Sequence, residues 1–180
     1  DLSHLDLRNV IQKQLKNQMK LLLDIDAATA FKAGQVKAIP TGISALTMDT
    51  DGTASSAATV NLNMYHLEEI RDYMFSTLHI EPAVGDDYIG LIATKAKRGI
   101  MRDPAWEEWK KYTDPSAKFN SEVGRAENIR MIEVNHSSAL SGSLGTGSVL
   151  GEGVFFGEDA VVMAVAEDPE LRAKMADDYG

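Results

Sequence analysis

A single long amphipathic segment, residues 5–33, constrains the fold of this 180-residue chain more than any other feature. Asp6 fits the N-cap position of a helix and Gly34 the position after its last residue. The predicted helix is about 40 Å long at 1.5 Å per residue, which exceeds most globular helices. We expect an architectural strut, with a helix of an ordinary bundle as the alternative. Apolar residues recur at the three- to four-residue spacing of a helix: Leu7, Ile11, Leu15, Met19, Leu22 and Leu23.

The two halves of this predicted helix differ in polarity. Its first half is polar on one face, where Lys13, Lys16 and Lys20 lie. Its second half contains LLLDIDAATAF and is apolar nearly all round, so we expect it to be buried. We expect the polar half to remain unsatisfied within its own subunit and to meet other parts of the chain or neighbouring subunits.

The amino-acid composition and net charge limit the classes of protein to which this chain can belong. The chain is 44% hydrophobic and 25% charged, which is typical of a globular domain with a sizeable core. No run of about 18 apolar residues is present, so the sequence predicts no transmembrane helix. The absence of cysteine excludes disulfides, thiolate zinc sites and thiol nucleophiles, and it fits assembly in the cytoplasm. The net charge of −9 argues against tight nucleic-acid binding by the whole surface.

The rest of the chain alternates predicted helices and strands, which indicates an α+β fold. The predicted helices cover 61–79, a short basic turn at 95–101, a helix that Asp103 caps and Pro104 begins, and 167–178. The predicted strands are a buried one at 88–94, a half-buried one at 129–136 and a strand or strand-turn-strand at 153–166. Residues 47–59 are small and polar and are predicted to be a loop. The expected apolar face of the helix over 61–79 consists of Met64, Leu67, Ile70, Met74 and Leu78.

The glycine-rich stretch SGSLGTGSVLGEG, residues 141–153, raises the question of a nucleotide site. A P-loop requires a lysine directly after its second glycine, and Ser148 occupies that position. The dinucleotide fingerprint begins at Gly145 and Gly147 but ends at Leu150. A strand is predicted to follow the stretch, so there is no helix N-terminus to receive a phosphate. We expect a mobile connection between strands and no bound cofactor.

Residue spacing predicts neither a catalytic constellation nor a metal site. An Asp-rich loop near residue 50 fails the calcium-loop pattern because its glycine comes too early. Ser137 and Ser138 lack the G-x-S-x-G elbow of a hydrolase nucleophile. Four histidines have no metal-motif spacing and are expected in the core or on the surface: His4, His66, His79 and His136.

Three aromatic residues recur along the helix that begins at Pro104. Trp106, Trp109 and Tyr112 share one face of that helix. A ligand platform is one interpretation, and packing in the core or between subunits is the favoured one.

Two stretches together resemble a known family. FNSEVGRAENIRMIEVNH (119–136), with GDDYIGLIATKAKRGIMRDPAWEEWKKYTDP (85–115) before it, is similar to tailed-phage major capsid proteins with the Hong Kong 97-like fold, in the branch named after phage N-four. FGEDA (156–160) resembles a later stretch of that branch. In the chain, Ser121 replaces a glycine of the family's turn, and Glu127-Asn128 replaces a glycine-containing approach to the strand. The matching positions are Asn120, Glu122, Val123, Gly124, Arg125 and Glu133.

The resemblance implies an architecture and a function. Residues 1–34 would be the spine helix of a peripheral domain, and residues 35–180 mostly an axial domain of mixed sheet and helices. The family's amino-terminal arm, extended loop and final peripheral strand would be missing, which agrees with a start at Asp1 in suggesting part of a longer chain. The chain would be a structural protein, not an enzyme, that forms hexamers and pentamers of an icosahedral phage head.

Partners and location follow from the same resemblance. The chain would bind copies of itself, and further partners would be scaffold, portal and decoration proteins. It would meet packaged DNA only indirectly, would not bind a membrane, and would reside in the virion capsid after assembly in the host cytoplasm. The alternatives are an encapsulin-like compartment shell protein and, third, a small α+β hydrolase.

Seven residues are candidates for turn geometry or contacts between subunits. Gly124 is expected to adopt a positive φ in a turn between a helical region and a strand. Arg125 is expected to contact a carboxylate, either Glu122 in the same turn or an acid of a neighbouring subunit. The full set is Asn120, Glu122, Gly124, Arg125, Lys13, Lys16 and Lys20.

Overall fold

The computed structural model describes residues 7–111 and 122–163, and these form a mixed α+β fold. The helices are α1 (Leu7–Lys32), α2 (Met64–Asp72), which continues as a π-helical turn (Tyr73–Thr77), α3 (Thr94–Met101) and α4 (Pro104–Lys111). The strands are β1 (Lys37–Gly42), β2 (Ala45–Asp49), β3 (Tyr88–Ala93), β4 (Glu122–Ala126), β5 (Ile129–Val134) and β6 (Gly153–Phe156). The predicted helix over 167–178 lies outside the described residues.

Helix α1 is unbroken over 26 residues, as its apolar spacing predicts. The expected burial of its second half is wrong, because Leu22 is 58% exposed and Leu23 is 50% exposed. The last turns of α1 contact the sheet, where the ring of Phe31 stacks on that of Phe156 with centroids 4.6 Å apart. Every residue from 9 to 24 is exposed, so the helix projects beyond the sheet that would have to cover it.

A four-stranded mixed sheet forms the centre of the fold, with strand order β4-β5-β3-β6. The two central strands, β3 and β5, run parallel, and each outer strand is antiparallel to its neighbour. The connection from β3 to β5 passes through α3, α4 and β4. The predicted strand at 153–166 is confirmed for 153–156 and ends there, since residues 157–163 have no regular secondary structure.

The main core lies between the sheet and helices α2, α3 and α4. Four of the five residues predicted on the apolar face of the second helix are buried, and the fifth, Leu78, is 38% exposed. The π-helical turn Tyr73–Thr77 explains this difference, since a π turn changes the angular position of every residue after it. The sheet contributes the fully buried side chains of Tyr88, Ile92, Ile129 and Met131, and α3 contributes Ile100.

A two-stranded hairpin of β1 and β2 corrects the predicted loop for residues 47–49, whereas residues 50–59 form neither helix nor strand, as predicted. Residues 47–49 belong to β2 and pair with residues 37–39 of β1. Leu46 and Met48 of β2 pack against the core, so one face of this short strand is partly buried. Tertiary packing therefore decides the structure of a segment whose composition favours a turn.

Candidate functional site

Gly124 lies in a β-bulge and not in the predicted turn between a helix and a strand. The pairing of β4 with β5 shifts register between Glu122 and Gly124. The φ of Gly124 is 145°, which is the positive value that the sequence predicts. A Cβ at this position would lie 2.8 Å from Cη2 of Trp106, so the bulge also requires glycine for space.

The turn of this region is two residues further on, at Glu127 and Asn128. Both have left-handed backbones, with φ of 50° and 56°, as the two central residues of a tight hairpin turn require. The backbone N–H of Tyr88 donates to the carbonyl of Asn128 at 2.8 Å, which links the turn to the start of β3. Asparagine is among the residues that adopt the left-handed conformation most readily.

Arg125 contacts a carboxylate of its own chain that the sequence interpretation did not consider. Its Nε donates to Oδ1 of Asp87 at 2.8 Å, and Nη2 of Arg130 lies 3.6 Å from the second oxygen. Asp87 is only 5% exposed, so it depends on these guanidinium groups for neutralisation. The expected contact of Arg125 with a carboxylate is confirmed, and its partner among the described residues is Asp87. A further contact with Glu122 or with a neighbouring subunit stays a prediction. The Glu122 side chain and Asn120 lie outside the described residues.

Glu133 near the end of β5 forms a polar contact that sequence reasoning missed. Its carboxylate accepts hydrogen bonds from the Thr94 hydroxyl at 2.9 Å and from Lys97. The hydrogen bonds of Lys97 and Thr94 hold the pKa of Glu133 below its ordinary value. Parallel pairing of β3 and β5 brings the carboxyl ends of both strands to one edge, which is the signal that could have predicted the contact.

Of the three aromatic residues, Trp106 is a core residue, and it is 4% exposed. Its ring packs against Gly124, in agreement with the favoured packing interpretation. The side chain of Trp109 and the whole of Tyr112 lie outside the described residues.

The glycine-rich stretch is packed rather than free. Leu144 and Leu150 pair across it, and Leu150 is 7% exposed. A Cβ on Gly151 would lie 2.4 Å from the backbone nitrogen of Ala96 in α3, so the stretch contacts that helix closely. The stretch connects β5 to β6, as predicted, and its close contacts with α3 were not expected from the sequence. Strand β6, not a helix, follows the stretch as predicted.

His66 is a fully buried core histidine that joins α2 to the hairpin tip. Its Nδ1 accepts from the backbone N–H of Asn63 at 3.2 Å, and its Nε2 lies 2.8 Å from the carbonyl of Gly42. The Asn63 side chain in return accepts from the backbone N–H of His66, which completes a capping box at the start of α2. These bonds explain the histidine structurally.

The three candidate lysines of α1 remain exposed. Lys13, Lys16 and Lys20 form no ion pair with any other residue in the described ranges. Beside this polar face the helix exposes large apolar side chains: Val10, Ile11, Leu15, Met19, Leu21, Leu22 and Leu23. The chain thus presents a long helix whose apolar residues lack cover from the described residues.

The described residues contain neither a metal-binding group of side chains nor a helix that could span a membrane. No group of three or more histidine, acidic or cysteine side chains in these ranges is arranged to hold a metal ion. No helix in 7–111 or 122–163 has both the length and the apolar character that a bilayer span requires.

In comparisons with known proteins, no family model, no curated protein and no solved structure matches this chain. The structural finding is the mixed α+β fold itself.

Proposed function

We propose that this chain is a structural shell subunit, a tailed-phage major capsid protein with the Hong Kong 97-like fold. Its copies form hexamers and pentamers of an icosahedral head that encloses DNA. The observation that carries the proposal is the projecting helix α1, which exposes seven large apolar side chains along its length. The proposal makes α1 part of a spine helix over residues 1–34 and makes residues 35–180 mostly an axial domain.

Exposing the apolar side chains of α1 to water is unfavourable in free energy. An isolated amphipathic helix gains most of its stability from burying its apolar face. Contiguous apolar surface of this kind marks an interaction site on a soluble protein. Full burial of a fully exposed large apolar side chain contributes about 1.5–3 kcal/mol. The seven side chains here are 37–58% exposed, so covering each of them supplies a corresponding part of that free energy for association.

The order of elements supports the same proposal. The chain contains, in order, a buried strand, a short basic helix, a helix that starts at Asp103-Pro104, the Gly124-Arg125 segment and a strand that carries Glu133. This order is similar to that of the resembled capsid proteins. The role is structural and not enzymatic. Partners are other copies of the chain, together with scaffold, portal and decoration proteins, and assembly takes place in the host cytoplasm.

Electron microscopy and sedimentation of the full-length gene product test the proposal. We expect rings of five or six copies and closed shells. Shells packed with DNA and bearing a tail support the phage head, whereas DNA-free shells support the encapsulin-like alternative. A monodisperse monomer under all assembly conditions would contradict both and favour the small α+β hydrolase.

A further inference from the structure

Helix α3 and the residue after it expose three basic side chains on one face. Lys95, Arg98 and Arg102, called here the basic stripe, are spaced three and four residues apart, which places them side by side. All three are exposed, and none forms an ion pair with another residue of the described ranges. Lys97 of the same helix differs, because it is paired with Glu133.

Helix α2 and the β4–β5 turn carry the opposite charge. Glu68 and Glu69 are exposed on α2, and Glu127 lies in the turn; these three residues are called here the acidic patch. Burial, and then the negative charges of Glu127, Asp72 and Glu69, raise the pKa of Glu68. No ion pair with a described residue neutralises the three.

We propose that the basic stripe of one copy docks onto the acidic patch of the next copy around a ring. The inference rests on the proposed shell function and names one contact within it. The basic stripe and the acidic patch are complementary in charge, and no ion pair joins them within the described residues. A contact between two different surfaces of identical copies is heterologous, and such contacts close into rings.

A second copy is favoured over a nucleic acid as the occupant of the basic stripe. The chain has a net charge of −9, so a polyanion is repelled by most of its surface. Another copy presents the complementary acidic patch at a defined place, and complementary charges set the register of an interface.

Charge reversal with compensation tests the contact. The stripe variant is Lys95→Glu, Arg98→Glu and Arg102→Glu; the patch variant is Glu68→Lys, Glu69→Lys and Glu127→Lys. We expect each variant alone to raise the critical concentration for assembly about tenfold or more, because three pairs become repulsive. Glu107→Lys with Glu108→Lys on α4 is a control for charge reversal elsewhere, and it is expected to assemble normally.

The combined variant, which carries all six substitutions, isolates the contact from net charge. Three substitutions lower the charge by two units each and three raise it by two units each, so the net charge stays at −9. We expect this variant to assemble like the wild type. A mixture of the stripe and patch variants restores complementarity only when the two alternate, so it is expected to form rings of six and not rings of five.

Sedimentation and electron microscopy, with circular dichroism to verify folding, read out each arm. If the wild type assembles and both single-surface variants assemble equally well, the contact is refuted while the shell proposal stands. A combined variant that folds but does not recover assembly also refutes it. Normal assembly of the stripe variant with loss of binding to duplex DNA would assign the stripe to nucleic acid instead. A wild type that never assembles refutes the shell function and this contact together.

Discussion

The Nε of Arg125 donates to Oδ1 of Asp87 across 2.8 Å and joins the bulged strand β4 to the residue that precedes β3. Asp87 is nearly buried, whereas about half of the Arg125 side chain is exposed. The exposed guanidinium therefore neutralises the buried carboxylate, and the pair links the edge strand β4 to the start of the central strand β3. This relationship lies within one chain and contributes to folding before any subunit meets another.

Loss of this pair is expected to destabilise the fold. Arg125→Ala removes the main partner of a buried carboxylate, which should lower the free energy of unfolding by about 1–3 kcal/mol. Urea denaturation followed by circular dichroism measures the change. Arg98→Ala is the matched control, since Arg98 is exposed and forms no ion pair with a described residue, and it should cost little. Equal effects of the two substitutions would contradict the assigned role of Arg125.

Gly124→Ala is expected to cost more than an ordinary substitution at a positive φ. The new Cβ meets both an unfavourable backbone at φ 145° and the ring of Trp106 at 2.8 Å. We expect a loss of about 2–4 kcal/mol from strain and displacement of the ring. Gly147→Ala is the control, because its φ is 72° and nothing lies within 4 Å of an added Cβ. Thermal melts that rank Gly147→Ala as the costlier change would disprove the steric argument.

The pH dependence of stability should report Glu133. Its pKa is lowered in the folded state from an ordinary value of 4.5, so the unfolded state binds its proton more readily. The carboxylate therefore stabilises the fold above about pH 4.5, and this contribution is lost as the pH falls through the lower folded-state pKa. Urea midpoints between pH 7 and pH 3 should fall less steeply for Glu133→Gln than for the wild type. Parallel curves would contradict the assignment.

Reversal of the three lysines of α1 should separate folding from assembly. Lys13→Glu, Lys16→Glu and Lys20→Glu together alter a polar face without breaking an ion pair to a described residue, so the subunit should fold normally. Shell formation should be impaired, because the altered helix must meet other parts of the chain or neighbouring subunits. Sedimentation with circular dichroism on the full-length protein makes the comparison. Unfolding of the subunit, or unchanged shells, would count against the prediction.

Local sequence patterns determined most of the elements. The apolar spacing of α1, the capping of α4 by Asp103 and the alternation in β5 each depend on neighbours within a few residues, which the chain itself displays. The positive φ of Gly124 could also be predicted, because glycine is the residue that tolerates it at least cost. These are short-range preferences, and they survive folding when no stronger contact opposes them.

The ion-pair partner of Arg125 and the burial of several apolar side chains were decided by the tertiary structure alone. Arg125 pairs with Asp87 because the β4–β5 hairpin lies beside β3, a proximity that the separation of 38 residues along the chain conceals. Residues 47–49 form a strand because Leu46 and Met48 pack against the core. Residues 21–23 are exposed because the sheet does not extend to them. The hydrophobicity of a side chain sets the free energy that its burial would contribute. Whether it is buried depends on which distant segments of the chain the fold places next to it.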